Sequence, residues 1–246
     1  MPAATTATAL TEAQVRSFHE QGVLGPFRLW DEDETPVMRA LLESVYLNDE
    51  SVHPSNNRHL DSPEVVDLVR RPQLMDRARS VLGDNILLWR IGCFLKAAGG
   101  LAIPWHQDWN YWPIEPAMVL SAWLAVDDVD EENACVQFIP GSHRQLLPHV
   151  PVTGMQFQQG ADPAQVDASQ AVPMILKAGE FVLFNERCLH HSAPNRSDRR
   201  RFGLAIRMLP PQVRIMRYDS EHHGVVPLSG TDPLGFNRQV VPGRSG

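Results

Sequence analysis

The chain has 246 residues, long for one domain but within reach of a single all-β barrel with helical additions. Its 22 Lys and Arg against 29 Asp and Glu give a net charge of −7, which argues against a general affinity for nucleic acid or an anionic membrane surface. Cys93, Cys135 and Cys188 form neither a metal-type spacing nor a disulfide framework, and Met1–Leu10 lacks the charged and apolar regions of a signal peptide. No apolar run reaches the roughly 18 residues of a membrane span, so the expected home is a reducing cytoplasm.

In chain order, Thr11-Glu12-Ala13-Gln14 fits a capping box, and Gly22 is placed to stop the helix that follows it. Thr35-Pro36 and Ser62-Pro63 repeat one device, a hydroxyl N-cap followed by proline at the first helical position. They predict helices over 35–48 and 62–82, with Pro72 kinking or splitting the second before Gly83 ends it. Residues 1–84 are thus read as a helical part without obvious chemistry.

From Asn85 the pattern changes. Short β-favouring runs over 86–95, 119–126, 134–139, 172–176, 180–184 and 202–208 alternate with turn signals such as Pro140-Gly141-Ser142 and Lys177-Ala178-Gly179-Glu180. Many short strands predict a mainly β fold with N-terminal helices, a double-stranded β-helix or jelly-roll barrel of the cupin-like kind. The expected layout is one domain over 1–246, with a jelly-roll core at 85–209 and a C-terminal wrap at 210–246. Residues 144–171 show no sustained period and read as a long loop, the sort that selects substrates or closes over them.

The chemistry centres on Trp105-His106-Gln107-Asp108. On a strand, residues i and i+2 share a face, so His106 and Asp108 converge while Gln107 points away. They supply two of the three ligands of a 2-His-1-carboxylate iron site. A bare H-x-D is more often a strand that exposes two polar residues, so the motif alone is weak. Downstream, the run 201–208 sorts Phe202, Leu204, Ile206 and Met208 to one face and Arg201, Gly203, Ala205 and Arg207 to the other. If the second face is buried, its arginines need an anion, and a dicarboxylate gripped by a guanidinium meets that need. If it faces water, they need none.

The pieces Arg58-His59-Leu60-Asp61, Phe94-Leu95-Lys96, Trp105-His106-Gln107-Asp108, the run from Asn133 to His143, and His190-x-Ser192 followed by Arg201 together resemble the phytanoyl-CoA dioxygenase family of Fe(II)/2-oxoglutarate oxygenases. Wording around Trp89-Arg90, 171–174, 177–179 and Asp219-Ser220 is similar to the branch that contains the syringomycin-type aliphatic halogenases. The resemblance implies His106, Asp108 and His190 as iron ligands and Arg201 as the grip on the distal carboxylate of 2-oxoglutarate. Lys96, Trp123 and Ser192 fall where the family places further cosubstrate contacts, and His190 is preferred over His191 because Ser192 and Arg201 then keep the family's spacing.

The implied reaction consumes O2 and 2-oxoglutarate, releases succinate and CO2, and hydroxylates a C–H bond of a small molecule, such as a natural-product intermediate or amino acid derivative. Desaturation, epoxidation and ring closure are the alternatives. The halogenases put a small residue where this chain keeps Asp108, and they are longer around Trp112 and in the middle loop. A carrier-protein partner is therefore disfavoured, and no nucleic acid or membrane partner is expected. Rival readings are a cupin-like isomerase or hydrolase with no use for Arg201, and a non-catalytic cupin-like binding protein. His143 is expected to bond backbone, His53, His222 and His223 to lie on the surface, and Trp105, Trp109, Tyr111 and Trp112 to divide between core and substrate mouth.

Overall fold

Four helices lead into the strands, and local chemistry sets their boundaries. The computed structural model describes residues 8–47, 57–216 and 223–243; His53, His222 and Asp219-Ser220 lie outside them. Helix α1 (Glu12–Gln21) starts at the Thr11–Gln14 capping box and stops at Gly22, whose φ of 72° is the left-handed value glycine adopts without strain. Helices α2 (Thr35–Tyr46), α3 (Pro63–Val69) and α4 (Pro72–Leu82) each have proline in the first turn, so Pro72 splits the long predicted helix in two. Thr35 is not the cap that its sequence suggests: a 3-10 turn at Glu32–Glu34 runs directly into α2, and the Thr35 hydroxyl accepts the Trp30 indole N–H at 3.1 Å. Ser62 does hold the N-cap position of α3, but its hydroxyl donates to Glu64 instead of capping the backbone.

The strands are β1 (Val23–Arg28), β2 (Ile86–Lys96), β3 (Ile103–His106), β4 (Ile114–Glu115), β5 (Leu120–Ala125), β6 (Val136–Phe138), β7 (His149–Pro151), β8 (Gln159–Ala161), β9 (Val172–Pro173), β10 (Glu180–Asn185), β11 (His190–Ser192), β12 (Arg201–Leu209), β13 (Arg214–Ile215) and β14 (Val226–Ser229). They form antiparallel sheets, six strands in the order β1-β10-β5-β12-β2-β14 and four in the order β3-β11-β6-β9. The fold is mainly β with helices, as expected. Strand β1 falls inside the region read as helical. It lies at a sheet edge and its register with β10 shifts between Leu24 and Phe27, where Gly25-Pro26 sits; an edge is where a sheet tolerates proline.

Strand β12 divides the interior as its alternation predicts. Phe202, Leu204, Ile206 and Met208 join Leu42, Val65, Val69, Leu74 and Met75 of the helices in one apolar cluster. Each such side chain, fully buried, stabilises the fold by about 1.5–3 kcal/mol relative to exposure. On the opposite face Ala205 joins Trp123, Val182 and Phe184 of the large sheet and Val136 and Phe138 of the small one. The two sheets therefore meet across the second face, and that is where the polar residues of interest lie.

Two further segments are more ordered than their sequences suggest. Within 144–171, β7 and β8 pair as a hairpin around the loop 152–158. After Pro210, β13 pairs with β4 and β14 extends the large sheet beside β2, so the described tail adds strands instead of only wrapping the core.

Candidate metal centre

His106 ends β3, where it pairs with His190 of β11. The strand stops there, so Asp108 is not on it: Asp108 opens a 3-10 turn over Asp108–Tyr111. Convergence survives because Gln107 between them stays extended, at φ −112° and ψ 125°. The Gln107 side chain faces away and is fully buried. Its NH2 donates to the carbonyls of Gln145 and Arg187 at 2.7 Å each, and its oxygen accepts from the Leu147 N–H at 2.9 Å. That set of bonds pins the strand end and so fixes the two residues that flank it.

His106, Asp108 and His190 are buried, and one ligand atom from each lies within 4.8 Å of the others. Asp108 Oδ1 is 3.5 Å from His106 Nε2 and 3.9 Å from His190 Nε2. The remaining ring nitrogens are tied back: His106 Nδ1 to the Pro104 carbonyl at 2.8 Å, and His190 Nδ1 to the Cys188 carbonyl at 2.9 Å. Bonds of this kind put the proton on Nδ1 and leave the Nε2 lone pairs facing the carboxylate. Burial, and then the neighbouring His106, hold His190 down to about 3, so its imidazole is neutral at pH 7. Burial alone would push the Asp108 carboxyl up; the charge of the Arg207 guanidinium opposes it, and the carboxyl sits well below the usual carboxylate range. Two imidazoles and one carboxylate fit a divalent first-row metal, with the donor set of a non-haem Fe(II) site.

Beside this cluster Arg201 is 1% exposed. Its Nη1 donates to the Ala134 carbonyl, its Nε has no hydrogen-bond partner, and no carboxylate pairs with it among the described residues. The guanidinium lies 5.6 Å from the centre of the Trp123 ring. Lys96, opposite Arg201 in the β2–β12 register, donates to Ser192 Oγ at 2.8 Å and to the Ala193 carbonyl at 2.7 Å. Burial, and then the Arg201 charge, pull the Lys96 ammonium down to about 7. All four residues expected around a cosubstrate are thus gathered in one buried patch, with two basic side chains and no carboxylate paired with either among the described residues.

A cavity of about 600 Å³ opens on the other side of Asp108, lined in part by Phe94, Tyr111, Trp112, Phe157 and Arg207. Phe157, from the hairpin loop, meets the His106 ring edge-on at 5.0 Å, and Tyr111 meets Phe157 at 5.6 Å. Tyr111 and Trp112 are therefore mouth residues, whereas Trp105 stacks on His191 at 4.0 Å. His191 points to Gln137 Oε1 at 3.2 Å, and His143 bonds the His19 carbonyl at 3.0 Å. Sequence reasoning missed Phe157, hidden in an aperiodic stretch, and the partner of Arg207, which is Asp108 at 3.2 Å and not a ligand.

Residues 18–203, more than half of the chain, match the family model for Phytanoyl-CoA dioxygenase (PhyH). The chain belongs to the phytanoyl-CoA dioxygenase family. Curated relatives of this phytanoyl-CoA dioxygenase family member include a probable alpha-ketoglutarate-dependent hypophosphite dioxygenase of Stutzerimonas stutzeri, 30% identical over 60% of the chain and 54% of the relative. Another is the ectoine dioxygenase of Bordetella bronchiseptica, 27% identical over 77% of the chain and 72% of the relative. The chain thus spans about half the length of the first and nearly three quarters of the second. Among solved structures, CytC3 with Fe(II) and alpha-ketoglutarate is 27% identical, with a TM-score of 0.72 over 96% of this chain and 94% of that one. The non-haem monooxygenase ThoJ, at 23% identity and a TM-score of 0.80 over 93% of this chain and 88% of that one, shows the shared fold alone. No helix among the described residues is long and apolar enough to cross a membrane, and all three cysteines are free.

Proposed function

We propose that this protein is an Fe(II)/2-oxoglutarate-dependent hydroxylase of a small molecule, built as one domain on a double-stranded β-helix formed by its two sheets. The observation that supports it most is the buried Arg201, without a carboxylate partner, beside the His106/Asp108/His190 cluster. In this reading the cluster holds Fe(II), and Arg201 with Lys96, Trp123 and Ser192 holds 2-oxoglutarate. When bound, iron and 2-oxoglutarate supply the oxidising power, splitting O2 between succinate and the substrate C–H bond with release of CO2.

The chain's own residues do the rest. The Pro104 and Cys188 carbonyls keep both imidazoles in one tautomer and one orientation. Arg201 supplies the planar fork that matches a carboxylate, and burial makes that match strong. The aromatic walls of the cavity exclude water and position an organic substrate, and a volume of about 600 Å³ suits a small molecule. Retention of Asp108 gives the metal a third protein ligand where the halogenase-like pattern has none. Oxygen insertion is therefore expected even in high chloride, and a chlorinated product from the native chain would overturn Asp108 as a ligand.

The test needs no substrate. The purified protein with Fe(II), ascorbate and 2-oxoglutarate in air is expected to release succinate slowly, as uncoupled turnover. Absence of both succinate and Fe(II)-dependent 2-oxoglutarate binding would reject the reading. Metal binding without any 2-oxoglutarate binding would favour the cupin-like alternative that has no use for Arg201.

A further inference from the structure

Asp108 offers two oxygens, and the structure treats them differently. Oδ1 faces His106 Nε2 and His190 Nε2, at 3.5 and 3.9 Å. Oδ2 accepts from Arg207 Nη2 at 3.2 Å. Arg207 is itself fixed: Nη1 donates to the Ala205 carbonyl at 3.0 Å, and the guanidinium lies 5.0 Å from the Trp112 ring centre and 5.9 Å from that of Phe94. Both members of the pair are largely buried, with side chains 7% and 5% exposed, and they meet at the wall of the cavity beside Asp108.

We infer that Arg207 is a positioning residue that holds the Asp108 carboxylate to one-oxygen ligation, by occupying Oδ2. An iron held by two imidazoles, one carboxylate oxygen and 2-oxoglutarate would keep room for O2, and a carboxylate free to turn both oxygens inward would take that room. Arg207 thus keeps a place for O2 without touching either the metal or the gas. The inference rests on the proposed iron-binding role of His106, Asp108 and His190.

The experiment uses the full chain and two variants, Arg207→Gln and Arg207→Lys. Co(II) affinity measures the ligand set, and nitric oxide binding to the Fe(II)–2-oxoglutarate complex, followed by electron paramagnetic resonance, measures the open place. In Arg207→Gln, Co(II) affinity is expected to fall roughly tenfold, within the 10- to 100-fold range typical of lost outer partners of metal ligands. Nitric oxide binding should fall by more than that, on the order of 100-fold. Arg207→Lys keeps the buried charge, but as a point donor it cannot hold Oδ2 and the Ala205 carbonyl in one plane. It should show the same two losses at about a third of the size on a logarithmic scale. If Arg207→Gln does not fold, the Lys variant decides alone. Nitric oxide affinity equal to wild type in a folded variant overturns the role of Arg207, even if Co(II) affinity drops. A wild-type chain that binds no Co(II) overturns the metal centre itself and this inference with it.

Discussion

Arg201 and Arg207 share one face of β12, and both are almost wholly buried, yet they are in opposite states. Arg207 ends on a carboxylate of the chain, Asp108, at 3.2 Å. Arg201 ends on a backbone carbonyl and carries its charge without an internal counterion among the described residues. A buried ion pair that is complete is part of the framework; a buried cation that is not complete is a standing demand for a ligand. The same residue type on the same strand therefore does two kinds of work, and substitutions should separate them.

The largest effect is expected at the complete pair. Asp108→Ala strands Arg207 in the interior, which should cost about 3–5 kcal/mol of stability. That corresponds to a fall in melting temperature on the order of 10 °C for a chain of this size, with loss of metal binding besides. Arg201→Ala should do the reverse: 2-oxoglutarate binding weakens by about 2–5 kcal/mol, while Co(II) affinity and melting temperature stay near wild type. Calorimetric titration and thermal melts on both variants check the contrast, and equal destabilisation by the two would break it.

Smaller effects belong to the periphery. Phe157→Ala removes an aromatic contact of about 0.5–1.5 kcal/mol, so it should weaken substrate binding roughly two- to tenfold and leave substrate-free succinate release unchanged. Equal loss of both would mean that the hairpin is structural. The smallest effect is a pH dependence from Lys96. With its ammonium pulled down to about 7, first by burial and then by Arg201, the charge that attracts a dicarboxylate is present below pH 7 and fades above it. Affinity for 2-oxoglutarate should therefore fall by at most about fivefold between pH 7 and 8. Stability of the ligand-free chain runs the other way. A depressed lysine leaves its cost fully present below pH 7 and relieves it as pH rises toward the unfolded value of about 10.4. Lys96→Met should flatten both trends, as titration calorimetry and melts across this range would show.

Much of this was legible in the sequence where one local rule decides the outcome. Capping at Thr11, the split at Pro72 and the two faces of β12 each follow from a single constraint of backbone or alternation. Failures occurred where a tertiary partner decides. The Thr35 hydroxyl is claimed by Trp30, and Pro26 sits in a strand because that strand is an edge. His106 and Asp108 converge without sharing a strand, because Gln107 anchors the chain to carbonyls far away in sequence. Alternation correctly put both arginines on one face, but it could not tell whether that face was buried or which one Asp108 would satisfy. Phe157 had no periodic neighbours to reveal it.

Gly203 lies between the two arginines' ends of β12, and a Cβ built there would overlap the six-membered ring of Trp123. Trp123 is buried in one cluster with Ala205, Phe184 and Val136, and its ring lies 5.6 Å from the Arg201 guanidinium. One missing methyl group therefore acts as a gauge for the slot beside Arg201, setting its width by how flat the indole can lie. On the proposed reading, a chain with alanine at this position would keep every charged group named above and should still bind 2-oxoglutarate more weakly, because the added methyl group displaces the Trp123 ring. It should discriminate most strongly against bulkier dicarboxylates and least against shorter ones.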